Sequence, residues 1–562
     1  MPCMSAARQD FDYIVVGAGS AGCVLASRLS EDSDRSVLLL EAGGRDNDYL
    51  LRMPLGFLRA MMNPRYSWGY LSEPEPQLRG RKVPLPRGRV LGGSGSINGM
   101  FYMRGHSLDF ETWRQLGCEG WGYADVLPYF KRMETSWRGA GKYHGGSGPL
   151  HVCAIDTTRL LHEPLFQTAE PAGFNTTEDI HAEVEEGFSR GEVTIDPRGR
   201  RASTARAYLH PVLGRKNLTL TLDALVTKVL IEKGRAVGVE YRRDGKVHRV
   251  RASAEVILAG GTYNSPQTLM LSGIGPADDL RKLGIAPAVD LPGVGRNLSE
   301  HPHIPVEFEA CVPVTFLNEL RFDRVVRSVM QWALFGRGAF ATQINSCNVI
   351  IRTRPDLPQP DVQLMCNPVR MDAKMWFPIV APRQAHRITA DVVVLHQQSR
   401  GWLTLRSSNP LDAPRVQLNL FADPADFDTA RRGIWAARKI YSTLPQARIV
   451  GAEIRPGAAL RTDAELENYI RDTAQVTQHP VGTCTMGVGP NAVVDPQLRV
   501  RGIEGLRVAD ASIMPTVPGG NTNAAVIMVA EKASDHIRGR PILPPESVRQ
   551  STAAASAHAE PA

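Results

Sequence analysis

FDYIVVGAGSAGCVLASRLSEDSDRSVLLLEAG, Phe11 to Gly43, opens as a strand and changes period at its glycines. Phe11 to Val16 is a short apolar run rich in β-branched residues, Val24, Leu25 and Leu29 then recur at helical spacing, and Val37 to Leu40 is a second apolar run. The pattern predicts strand, tight turn, helix and strand. Gly17 permits the sharp turn, Gly19 lets the backbone approach a pyrophosphate, and Gly22 lets the helix pack closely on its strand. Glu41 stands where a dinucleotide-binding βαβ unit places an acid to accept hydrogen bonds from a ribose. Phosphates would sit at the helix N-terminus, where free N–H groups and the dipole favour an anion. The stretch predicts a dinucleotide and leaves open whether it is NAD or FAD.

At 562 residues the chain is too long for one ordinary core, so two or more domains are expected. Its longest apolar runs, such as Ala524 to Ala530, fall far short of the roughly 18 to 20 residues of a membrane span. The N-terminal residues before Phe11 show no apolar segment of secretory type, so the cytoplasm is the default expectation. The eight cysteines are scattered without a zinc-type grouping and read as buried thiols. A net charge of +7 comes from dispersed arginines, with no basic run interleaved with aromatics, and predicts no nucleic-acid partner.

Further along, PRGRVLGGSGSINGMFYMRG, Pro86 to Gly105, is so rich in Gly and Ser that its backbone is expected against something flat or charged. Before it, Tyr66, Trp68 and Tyr70 read either as a cofactor wall or as core. Val226 to Leu230 and Val237 to Tyr241 predict a β-meander turning near Lys233 and Gly234, and Ala254 to Ala259 a strand entering a glycine turn and a helix. His301 and His303 have the spacing of a metal pair, yet no completing ligand set is in view and no metal is expected. Between Cys311 and Tyr469 the texture changes: Val392 to His396 and Leu403 to Arg406 suggest antiparallel strands, and Ile434, Trp435, Ala437 and Ile440 a helix. TQHPVGTCTMG, LRVADASIMP and GGNTNAAVIMVAEKASDHIRG close the ordered chain, the last as a loop running into a helix near Asn523.

In order and wording these stretches resemble the glucose-methanol-choline (GMC) oxidoreductases, FAD-dependent enzymes of primary alcohol oxidation, over nearly the whole chain. The resemblance implies an α/β (α+β) fold. A Rossmann-type FAD-binding domain with parallel sheet and β-meander would comprise residues 1–155, 200–305 and 475–540. A substrate domain, an antiparallel sheet flanked by helices, would comprise 156–199 and 306–474, with 541–562 a disordered tail. It implies FAD contacts at Gly17, Gly19, Ser20, Ala21, Gly22, Glu41 and Ala42, and at Trp68, Val90, Gly92, Gly93, Ser94, Asn98 and Gly99. Val226, Ala259, Asp510, Ala511, Asn521 and Thr522 complete that set, with His479 and Asn523 as the catalytic pair. Ile97 stands where some relatives carry a flavin-linking histidine, so non-covalent FAD is expected. Gln478 replaces an aromatic common in relatives, and Ser299-Glu300 replaces a usual Gln-Asp, read as a minor change.

Alcohol oxidation removes a hydroxyl proton and a hydride from the carbon. The flavin N5 would take the hydride and neutral His479 the proton. Asn523 is expected to donate its amide to the substrate oxygen, and the helix it opens to direct its dipole toward the flavin. Without the resemblance, His479 reads as a core histidine and Asn523 as a helix cap. The expected partners are a small alcohol and an electron acceptor, quinone or oxygen, the former through a peripheral membrane contact. An oxidase, or a lyase or decarboxylase of this fold, is the alternative.

Overall fold

The computed structural model describes residues 10–546. The N-terminal residues read above for a secretory segment, and most of the expected tail, lie outside the described residues. β1 (Asp10–Val16), α1 (Ser20–Leu29) and β2 (Val37–Leu40) form the opening unit, with β1 parallel to β2 and Val16 opposite Leu40. All four residues of β2 are buried, because a parallel sheet is covered on both faces, and its apolar run is continuous for that reason. β3 (Leu218–Thr221) lies parallel on the far side of β2. The meander follows as β4 (Leu225–Glu232), β5 (Arg235–Arg243) and β6 (Lys246–Leu258), with Lys233 and Gly234 both left-handed at its first turn. β6 serves two partners: its first half pairs antiparallel with β5, and its second half parallel with β1, Leu258 opposite Val16. The sheet order is β4-β5-β6-β1-β2-β3. The carboxyl ends of β1, β2 and β6 therefore open on one edge, where such sheets bind ligands.

A second sheet is antiparallel. It holds β7 (Pro302–Ile304), β8 (Glu307–Ala310), then, beyond helix α2 (Phe322–Phe335), β9 (Cys347–Ile351), β10 (Val362–Asn367) and β11 (Arg387–Val394). After α3 (Pro424–Ser442) come β12 (Val450–Arg455) and β13 (Gln475–Val476). Its order is β12-β8-β11-β10-β9, a short strand at Gly187–Ser189 on the edge, and β7 bridging β11 to β13. β11 takes in Val392 to Val394 of the first predicted run, and of the second, Leu403 to Arg406, the first two residues lie in a strand at Trp402–Thr404 that pairs with Arg415–Gln417 in a separate ribbon. α3 lays Phe427, Ala430, Ile434, Ala437 and Ile440 on the sheet, and Gly433 sets its approach, since a Cβ there would come within 2.4 Å of Val392. Trp435, expected in that apolar stripe, is on the solvent side beneath Arg438.

The chain returns to the first sheet as β14 (Leu506–Val508), parallel beside β6, and ends in α4 (Asn523–Arg538), closed by left-handed Gly539. α4 is buried along nearly its whole length, and Glu531 at its centre is held by Arg28 of α1 at 2.8 Å, by Arg132 at 2.8 Å and by the Tyr208 hydroxyl at 2.8 Å. A buried carboxylate persists only when so answered, and this cluster locks α4 onto α1. No helix among the described residues is long and apolar enough to cross a membrane.

Candidate active site

At the open edge of the first sheet the glycines meet their steric requirements. Gly17 has φ +97°, and a Cβ there would lie 2.7 Å from the Ala259 carbonyl oxygen. On Gly22 it would lie 1.8 Å from the Gly17 oxygen, so helix and turn are in direct contact. Gly19 differs: only the Ala259 oxygen, at 3.9 Å, would meet its Cβ. The 92–96 loop folds over this turn, with Gly92 N–H donating to Ala18 O at 2.8 Å and Gly93 so close that a Cβ would lie 2.7 Å from the Gly19 Cα. Ser94 accepts from Gly88 N–H. Ser20 at the start of α1 donates to Asn523 Oδ1 at the start of α4, at 2.6 Å, so two helix N-termini converge. Their dipoles together favour an anion.

Glu41 is buried and accepts from Ala18 N–H at 2.9 Å and Gly43 N–H at 2.8 Å; burial pushes its carboxyl up to about 7. Ala42 is half-buried beside it, Val90 bridges to Gly44, and Trp68 stacks on Tyr70 with Arg89 over its ring. Val226 is buried in β4 and Ala259 follows β6. Asp510 does not face open space: its carboxylate accepts from Gly261 N–H, Ser265 Oγ and Ser512 N–H, tying Ala511 and the turn after β6 together. Ala21 and Thr522 are buried at the two helix starts. Asn98 Oδ1 accepts from buried Arg201 at 2.7 Å, and Gly99 O from Gln343. A turn whose glycines forbid side chains, two helix N-termini and a buried acid fit a dinucleotide. Gly22→Ala is expected to destabilise the fold by about 1–3 kcal/mol through overpacking, seen as a lowered Tm. Gly19→Ala should leave the apoprotein Tm near wild type and lower FAD loading, measured by the flavin-to-protein absorbance ratio.

His479 lies where the two sheets' connections meet, directly after left-handed Gln478. Arg87 holds Gln478 through its carbonyl, at 2.9 Å, and its side-chain oxygen, at 3.0 Å, so this residue is a strap. Glu300 is a second strap, accepting from His479 N–H at 2.6 Å and His301 N–H at 3.1 Å. The Ser299-Glu300 variation is thus part of the site, a correction to its reading as minor. The ring of His479 is fixed by a chain of bonds. His301 Nε2 lies 2.9 Å from Leu395 O, which can only accept, so that nitrogen carries the proton and His301 Nδ1 is the acceptor. His479 Nδ1, 3.2 Å from His301 Nδ1 and 2.9 Å from Thr477 Oγ1, therefore donates, and its Nε2 keeps a lone pair.

That lone pair faces Asn521, whose Nδ2 lies 3.1 Å away. Asn523, expected beside His479, is instead engaged with Ser20; it belongs to the convergence of helix ends, and the partner of His479 is the asparagine two residues earlier. The helical start near Asn523 drew the expectation to that residue, whereas α4 begins there and the preceding loop carries Asn521 across to His479. Sequence reasoning also missed His301, weighed only as a metal ligand, and Arg201, whose guanidinium has no carboxylate partner among the described residues; burial pushes it down to about 9. Asn521 Oδ1 and Arg201 Nη2 are buried without a hydrogen-bond partner among the described residues.

Burial, with Arg87 adding to it, pushes His479 down to about 3, and burial pushes Glu300 up to about 8. His479 is therefore neutral from about pH 5 upward, and kcat/KM should show no acid limb near the ordinary histidine value of 6.5. As pH rises through about 8 the Glu300 carboxyl loses its proton, and an anion beside His479 makes that ring a better proton acceptor. The rate is expected to rise there, and Glu300→Gln to remove the rise in a pH profile.

The fold and site define a class, an oxidoreductase of flavin type with a neutral, hydrogen-bonded histidine at the mouth of a dinucleotide-binding sheet. The family models for GMC oxidoreductase match residues 11–303 and 397–530. Choline dehydrogenase, mitochondrial, of Mus musculus is 42% identical over 553 residues, 97% of this chain and 92% of its own. The oxygen-dependent choline dehydrogenase of Sinorhizobium fredii is 44% identical over 534 residues, 94% and 96% of the two chains. Among solved structures, pyridoxine 4-oxidase from Mesorbium loti is similar at a TM-score of 0.85 and 30% identity, covering 94% of this chain and 100% of its own. An Aspergillus oryzae formate oxidase gives 0.88 and 26%, covering 95% and 99%. This chain belongs to the GMC oxidoreductase family, and its chemistry is FAD-dependent alcohol oxidation.

Proposed function

We propose that the chain oxidises a primary alcohol to an aldehyde, with His479 as base and Asn521 as the donor to the substrate oxygen. The observation that supports this most is the fixed lone pair on His479 Nε2 against the Asn521 amide. An alcohol entering between them would donate its hydroxyl to Nε2 and accept from Asn521 Nδ2. As the proton reaches Nε2, His479 becomes an imidazolium whose Nδ1–H is already held by His301 and Thr477. Asn521 stabilises the developing alkoxide, a role worth about 10²–10³-fold. FAD held at the glycine turn would supply the hydride acceptor. Ile97 offers no heteroatom for a covalent link, which supports non-covalent binding. Residues 1–155, 200–305 and 475–540 would form the FAD-binding domain. Pro302–Ile304 and Gln475–Val476, at the ends of two of those segments, pair within the antiparallel sheet.

Choline is the substrate in the names of the relatives above, and it heads the substrate panel. The electron acceptor is a quinone or oxygen, the former reached through a peripheral membrane contact. Anaerobic mixing of the holoprotein with choline, a medium-chain alkanol and benzyl alcohol tests the reading. Loss of oxidised-flavin absorbance with one of them is the expected result, and a fully loaded flavin that no alcohol bleaches would reject it. Rapid return of colour in air marks oxygen as acceptor, and return only with added quinone marks the alternative.

A further inference from the structure

α2 is apolar on two sides, with Val325, Val329 and Trp332 packed, partly buried, against the core. Phe322, Val326, Met330 and Leu334, spaced four apart, lie on its exposed face, while the side chain it buries fully is Ser328. The apolar stripe continues onto a neighbouring turn. Phe322 N–H donates to Trp376 O at 2.9 Å, and the rings of Phe322 and Phe377 meet edge to face at 6.3 Å. The turn closes through the Phe377–Ala381 bridge, and Pro378, Ile379 and Val380 form its tip. Ile379 is 106% and Val380 80% exposed. Ile379 also has φ +74°, a conformation costly for a β-branched residue, held here at a tip that touches nothing it could pack on. A contiguous patch of this kind marks an interaction surface.

Charge selects the partner. Nearby acids are answered within the protein: Glu319 by Arg324, Asp323 by Arg321 and Asp372 by Arg370. Arg327 and Lys374 are exposed and make no ion pair among the described residues, and Arg337 and Arg383 are laid over Phe335 and Trp376 at the rim. An apolar face rimmed by cations matches anionic headgroups above acyl chains. It does not match a second copy of itself, which would oppose like charge to like. We propose that α2 and the 377–381 turn dock on an anionic phospholipid bilayer, with Phe322, Leu334, Ile379 and Val380 entering the acyl boundary and Arg327 and Lys374 meeting headgroup phosphates. This gives the peripheral contact proposed above its surface, and is independent of which alcohol is oxidised.

The test sediments holoprotein with vesicles of phosphatidylcholine alone and of phosphatidylcholine with phosphatidylglycerol. Binding to the second, released by high salt, is expected. Two double variants, Ile379→Asp with Val380→Asp and Arg327→Glu with Lys374→Glu, should each lower the bound fraction at least about tenfold, at positions exposed enough to leave the fold intact. Turnover of a water-soluble alcohol without vesicles should equal wild type in both, which separates failure of this surface from failure of the flavin site. Absence of wild-type binding to either vesicle, or equal binding by the variants, would overturn the proposal. A wild-type dimer that the variants convert to monomer, without vesicle binding, would overturn it in favour of a contact between copies.

Discussion

His479→Ala is expected to lower kcat by about 10²- to 10⁴-fold, the range that general-base help contributes, while flavin content stays near wild type. The retention of flavin follows from position. His479 is held by Glu300, Thr477 and His301, none of which belongs to the glycine turn, the 92–96 loop or the start of α1. Removing the ring also relieves a buried group rather than stranding a charge, since burial keeps it neutral. Steady-state turnover per bound flavin, with the absorbance spectrum taken on the same sample, measures both quantities. Turnover per flavin near wild type would remove His479 from the base role.

The second large effect separates two asparagines. Asn521→Ala removes the amide 3.1 Å from the lone pair of His479, and kcat per flavin should fall by about 10²–10³-fold, the loss typical of one donor to a developing oxyanion. Asn523→Ala removes the acceptor of Ser20 where the two helix N-termini converge, so the expected loss is in FAD retention, with turnover per bound flavin nearly unchanged. Measuring flavin stoichiometry and turnover for both variants decides the assignment. A larger per-flavin loss in Asn523→Ala than in Asn521→Ala would return the role to Asn523.

Much of the first sheet was legible because its signals are local. A βαβ turn needs glycine at Gly17 and Gly22 for steric reasons that act within a few residues, and the contacts at 2.7 Å and 1.8 Å are those reasons made visible. The meander turn at Lys233-Gly234 and the apolar face of α3 are readable on the same grounds, with Trp435 the exception because one aromatic at helical spacing does not reveal which flank it occupies. The antiparallel sheet was legible only as texture, since its order joins Gly187–Ser189 to residues beyond 300 through pairings no local pattern encodes.

By itself the sequence determined the dinucleotide turn and the acid at Glu41, and its resemblance to a family implied the two-sheet α/β class and a histidine of interest at His479. Tertiary structure alone decided which asparagine meets His479, because Asn521 and Asn523 differ by two positions and point to different partners across more than 40 and 500 residues of chain. It decided too that His301 orients the ring of His479, through a carbonyl at Leu395 that can only accept. It likewise decided that Glu300 and Arg87 strap the loop that carries His479. Hydrogen-bond direction and burial depend on which distant atoms are brought within 3 Å or so of one another, and that is a property of packing rather than of residue order.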